Sequence, residues 1–148
     1  MFSKDLNQFM KQRRNVSQTR GRKIPRYLES IIGEATNLYA FGRYDEAIPL
    51  FEQVIKEMPE EADTTHTMSL IYQEKGDLEK AFMFALISAY ETRTDSEKWL
   101  QCADLSIKLE NHKNAIYCYN RAAKALNEKT QYMEILRIKM AKIDLYKK

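Results

Sequence analysis

The residues best equipped for chemistry are Cys102, Cys118, His66 and His112. Four such groups build a zinc site when they come in close pairs, each pair reaching one ion from a turn or a helix face. No two of them stand at that spacing here. The cysteines fall where a helix hairpin packs its core, and the histidines fall at a turn and on a helix surface. There is no Gly-rich phosphate loop and no serine-nucleophile motif. The carboxylates gather at helix starts and on polar faces, where they cap and solvate. The residues therefore point away from an enzyme, a metal or a cofactor. Two cysteines are also too few for a disulfide framework, and a reducing compartment is the simpler expectation.

With chemistry set aside, what remains is the scaffold. Ile31, Ala35 and Leu38 stand at helical spacing, followed by a break at Gly42. Tyr44, Ala47, Phe51 and Val54 form a second run, which Pro59 ends. Two amphipathic helices joined by a tight turn cannot bury their apolar surface alone, so copies must stack on them. The copies recur at a spacing of 34 residues. Gly42 leads to Gly76, and Ala47 leads to Ala81 and Ala115. Ala35 leads to Ser69 and Ala103, while Ile31 leads to Thr65 and Trp99. Phe51 leads to Ala85 and Tyr119, and Val54 to Ser88 and Ala122. A period of 34 with this order of small, aromatic and Gly/Pro positions looks like the tetratricopeptide repeat. The middle copy is the weakest, with Thr65, Ala85 and Ser88 small where bulk is usual and Arg93 in place of the stop proline.

The expected fold is all-α: an α-solenoid of three helix hairpins plus a terminal helix. The repeats are expected at about 28–61, 62–95 and 96–129, with a final helix at about 130–146. Four Gly and three Pro leave little turn chemistry for a sandwich or barrel. No apolar run approaches the length of a membrane span. Pro25 suits the start of the first helix. Asp45, Glu46, Glu79 and Glu97 fall in first turns. Thr94, Asp95 and Ser96, and later Thr130, are candidate caps. Asn111 is expected to take the left-handed position at the third inner turn, where the earlier turns use Gly. The final helix carries apolar residues around much of its circumference: Ile135, Ile138 and Leu145 in one set, Met133, Leu136, Met140 and Ile143 in another. That leaves an outer face requiring a cover, by continuation of the chain or by a partner.

The net charge of +3 hides a division. Residues 1–26 carry eight Lys/Arg against Asp5, giving +7, and the remainder carries −4. Arg13, Arg14, Arg20, Arg22, Lys23 and Arg26 form the basic arm. Phe2, Leu6, Phe9 and Met10 share one side of a short helix within it. The arm reads as a solvated terminus, as a segment for nuclear import or nucleic acid, or as an amphipathic mitochondrial presequence. A +7 arm bearing apolar residues would also suit an acidic groove of the same chain.

In stacked repeats the first helix of each pair lines the concave side. The groove positions are Ile32, Thr36 and Tyr39 from the first repeat. The second gives Asp63, His66, Leu70 and Gln73, and the third gives Glu97, Leu100, Asp104 and Ile107. Apolar patches flanked by acids suit an extended or helical segment with apolar anchors and basic residues. A clamp for an acidic chaperone tail needs cations, but Ile32, Thr36, Thr67 and Gln101 stand at those positions. Glu97 and Asp104 would repel such a tail.

The run Arg20-Gly-Arg-Lys-Ile-Pro-Arg26, then Gly33-Glu-Ala-Thr-Asn37 and Phe41-Gly-Arg-Tyr-Asp-Glu-Ala47, resembles a known family. So do Asp95-Ser-Glu-Lys-Trp-Leu100 and Asn114-Ala-Ile-Tyr-Cys-Tyr119. The chain is similar over residues 20–146 to the N-terminal repeat array of the tetratricopeptide subunit of transcription factor IIIC. Members are longer, with two arrays and an acidic N-terminal extension that has no counterpart here, so a fragment or a reduced member is expected. The resemblance implies a nuclear, non-enzymatic scaffold of the RNA polymerase III machinery. Its implied partners are transcription factor IIIB, through the TFIIB-related and SANT-domain subunits, and other factor IIIC subunits. No membrane is implied, and the basic arm would add salt-dependent phosphate contacts. The alternatives are an adaptor in another assembly, such as a mitochondrial or quality-control complex, and an accessory protein that binds nucleic acid through its arm.

Overall fold

The computed structural model describes residues 23–59, 61–92, 95–126 and 132–147. Among these residues the structure is helical, with no strand. The helices are α1 (Arg26–Ala40), α2 (Tyr44–Glu57), α3 (Ala62–Glu74), α4 (Leu78–Glu91), α5 (Ser96–Lys108), α6 (His112–Ala125) and α7 (Tyr132–Tyr146). Each helix packs on the next in sequence, so α1–α2, α3–α4 and α5–α6 form hairpins that stack in order, with α7 laid against α6. Only neighbours touch extensively, which is the quasi-linear arrangement of a solenoid.

The 34-residue columns are the core. Ala35, Ser69 and Ala103 are all buried, as are Ala47, Ala81 and Ala115. These small residues let paired helices approach closely. Ser69 uses the proximity directly: its Oγ donates to the Ala81 carbonyl at 2.8 Å. Phe51, Ala85 and Tyr119 are buried in a third column, and Val54, Ser88 and Ala122 in a fourth. The thin columns of the middle hairpin are filled from elsewhere. Met68, Ile71, Phe82, Leu86 and Ile87 are buried there, and Ala85 through Ala89 is a continuous buried run, because α4 packs both on α3 and on α5 of the next hairpin.

Local signals set the helix boundaries. Pro25 precedes α1 with φ −59°. Glu61 accepts from the Asp63 and Thr64 amides at the start of α3. Asp77, Asp95 and Asn111 accept from the amides of Lys80, Glu97 and Asn114 at the starts of α4, α5 and α6. Thr130 lies outside the described residues. Pro49 lies inside α2, where it cannot donate to the Asp45 carbonyl.

The inner turns share one closure. Gly42 N–H donates to the Tyr39 carbonyl and Arg43 N–H to the Leu38 carbonyl, both at 2.9 Å. Gly76 and Asp77 repeat the pair at 3.1 and 2.9 Å, and Glu110 and Asn111 repeat it at 2.9 Å each. This is the Schellman arrangement, which needs a left-handed residue just past the helix. Gly42 and Gly76 supply it with φ 75° and 80°. In the third turn the left-handed residue is Glu110, at φ 58°, and not Asn111, which has φ −98° and caps α6. The expectation for Asn111 is thus corrected by one position: the repeat spacing carries Gly42 and Gly76 onto Glu110, and the Asn side chain is used on the next helix.

Candidate partner-binding groove

Helices α3 and α5 bring their faces together around a cleft of about 170 Å³. Leu70 and Gln73 of α3 line one wall, and Gln101, Asp104, Leu105 and Lys108 of α5 line the other. Leu105 is only 2% exposed and forms the apolar floor. Leu70 is half-buried, as is Gln73, whose amide nitrogen donates to Ser69 Oγ at 3.4 Å. Asp104 is exposed, yet partial burial holds its carboxyl above the ordinary range, and Lys108 one turn on opposes that rise. Leu70, Gln73 and Asp104 from the sequence-derived groove therefore meet in one place. Gln101, Leu105 and Lys108 join them. Leu105 was hidden because its spacing reads as core, and Lys108 because a terminal lysine reads as a dipole partner.

The remaining groove positions are distributed along the same wall. His66 is half-buried, and burial lowers its pKa first, with Lys98 acting the same way against Asp63 and Asp95. Asp63, Thr36 and Glu97 are exposed. Leu100 and Ile107 are half-buried against the main core, so only their outer edges are left for a ligand. Ile32 packs on the separate cluster of Leu28, Val54 and Met58. Tyr39 rests against Tyr44 with ring centres 5.9 Å apart. Of the basic arm, Lys23 and Arg26 are exposed at the start of α1. Arg13, Arg14, Arg20 and Arg22 lie outside the described residues, as does the apolar set Phe2, Leu6, Phe9 and Met10.

On the far side of α5 the chemistry is that of packing. Trp99 is fully buried, with Tyr90 edge-on at 4.9 Å and Tyr117 at 6.2 Å. The Arg121 guanidinium lies 5.0 Å from the Trp99 ring and 5.4 Å from the Tyr90 ring. The Tyr90 and Tyr117 hydroxyls are hydrogen-bonded. Burial first, then that bond, pushes the Tyr90 phenol well above its ordinary range. Cys102 and Cys118 are free and buried. The contact between their sulfurs, then burial, raises the Cys102 pKa, which favours the protonated thiol. Among the described residues no cluster of three His, Cys, Asp or Glu side chains could hold a metal. No described helix is long and apolar enough to cross a membrane.

The hairpin geometry, the small-residue columns and the glycine turns agree with a family profile, the tetratricopeptide repeat, which matches residues 38–81. Residues 38–81 thus carry the tetratricopeptide repeat, within an array of stacked helix hairpins. Its sequence is similar to General transcription factor 3C polypeptide 3 of Homo sapiens, at 32% identity over 133 residues, 90% of this chain and 14% of that protein. It is also similar to Transcription factor tau subunit sfc4 of Schizosaccharomyces pombe, at 29% identity over 103 residues, 66% of this chain and 10% of that protein. The resemblance to the repeat subunit of transcription factor IIIC thus stands, over a small part of either relative's length. Among solved structures, the type III secretion translocator chaperone SycD of Yersinia enterocolitica superposes with a TM-score of 0.63 at 16% identity. The match covers 84% of this chain and 87% of that one. PcrH in complex with the chaperone-binding region of PopD gives 0.63 at 16% identity, covering 85% and 96%. These likenesses concern the fold.

Proposed function

We propose that this chain is a non-enzymatic docking scaffold in a nuclear transcription complex, and that its groove holds a segment of a transcription factor IIIB subunit at RNA polymerase III genes. The observation that carries the reading is the cleft between α3 and α5, with Leu70 on its rim, Leu105 on its floor and Asp104 at its mouth. An apolar anchor fits the floor, and a basic residue beside it pairs with Asp104. The two factor IIIC relatives supply the setting. The TFIIB-related and SANT-domain subunits are the partners to try first, and other factor IIIC subunits next. Lys23 and Arg26, with the arm before them, add salt-dependent contacts to DNA phosphates.

Titration of the 148-residue chain with each factor IIIB subunit tests this reading. Binding by the native chain, weakened about tenfold or more by Asp104→Lys combined with Leu70→Ala, supports it. Helical content measured alongside shows that the variant stays folded. No binding, or equal binding by the folded variant, rejects it.

A further inference from the structure

The last helix has two apolar faces, and among the described residues only one is covered. Ile138 and Leu145 are buried against the preceding hairpin, at 3% and 6% exposure. Lys142 donates to Asn120 Oδ1 on α6, which fixes that edge. The opposite face bears Leu136, Met140 and Ile143, at 38%, 59% and 53% exposure. Their spacing of four and then three residues is that of a seam between two helices, and so much bare apolar surface on one helix marks a contact site. The edges of the seam identify the occupant. Arg137 and Asp144 flank it on one side, both exposed, and Lys139 and Tyr146 on the other.

The geometry points to a second copy of this chain as the cover, its α7 running antiparallel to the first in a twofold dimer. Antiparallel helices set like edges against each other. With Met140 of one copy across from Ile143 of the other, Arg137 of each copy falls beside Asp144 of the other. The twofold axis makes that contact twice. Lys139 of each copy falls beside Tyr146 of the other, a cation next to a ring face. The alignment that buries Met140 and Ile143 against each other therefore also pairs the edge charges, with Leu136 of each copy at the end of the seam beside Lys147 of the other. A foreign helix with acidic edges would meet Arg137 well and Asp144 badly. This surface lies on α7, apart from the α3–α5 cleft, and stands independently of the role proposed for that cleft.

The test is sedimentation equilibrium of the full chain from about 1 to 300 µM. A concentration-dependent dimer is expected, weakened at least about hundredfold by Met140→Asp, an exposed position whose change leaves the core intact. Arg137→Asp and Asp144→Arg should each weaken the dimer about tenfold. The double variant R137D/D144R should restore it, and so should mixing the two single variants. Circular dichroism controls for folding. A monomer throughout the range overturns the proposal, as does a dimer indifferent to Met140→Asp. A dimer that the charge swap fails to restore overturns the antiparallel pairing. A folded monomer that uses this face for a different protein overturns the choice of occupant.

Discussion

Replacing Glu110 by Gly should stabilise the protein. Glu110 holds φ 58° to close the turn between α5 and α6, where Gly42 and Gly76 hold φ 75° and 80° in the other two hairpins. A residue with a Cβ pays about 1–2 kcal/mol in that conformation. Glycine avoids that cost but loses about 0.5–1 kcal/mol more backbone entropy on folding. The net gain is about 0.5–1 kcal/mol. Glu110 is exposed, so no burial is lost. The reverse exchange at Gly42 or Gly76 to Ala should cost a similar amount, and for backbone reasons alone, since an added Cβ at either site meets nothing within 4 Å. Urea denaturation followed by helical signal measures both. The thermal midpoint should rise by about 2–4 °C for Glu110→Gly and fall comparably for Gly42→Ala. A lowered stability for Glu110→Gly, or an unchanged one for Gly42→Ala, would refute the argument that left-handed strain distinguishes the third turn.

Other substitutions probe different parts of the same account. Pro49→Ala should raise stability by about 1–3 kcal/mol, because it restores a donor to the Asp45 carbonyl inside α2; differential scanning calorimetry reads the gain. Ser69→Ala should cost about 0.5–1.5 kcal/mol in denaturant unfolding, since it removes the 2.8 Å hydrogen bond to the Ala81 carbonyl that ties α3 to α4. The folded chain disfavours the charged form of His66, so the unfolded chain takes up the proton first. Stability should therefore be fully present above the ordinary histidine range and decline as pH falls below about 6.5, and a His66→Gln variant should lose that part of the decline.

The architecture was legible because a repeat states each packing rule several times. Ala35, Ser69 and Ala103 mean little singly, but at equal spacing they specify where helices touch. Turn chemistry is plain where glycine announces it, at Gly42 and Gly76, and concealed at Glu110. Glu110 carries no local signal for a left-handed backbone, and the neighbouring Asn111 looked the better candidate because its side chain tolerates that conformation. The groove was legible in part. Leu70 and Gln73 on α3 and Asp104 on α5 stand on helix faces that period counting recovers. Leu105 and Lys108 required knowledge of how α5 is rotated against α3, which depends on the packing of both hairpins. The bare face of α7 was visible as excess apolarity, but which set of residues faces inward was decided by the contact with α6.

The wall lined by α3 and α5 should take another polypeptide. Amide hydrogen exchange of the full chain, with and without a factor IIIB subunit at saturating concentration, tests it most directly. Exchange should slow in α3 around Leu70 and in α5 around Asp104, with the outer surface of α2 unchanged. Protection confined to α2, or absent from α3 and α5 while the partner is bound, would contradict it.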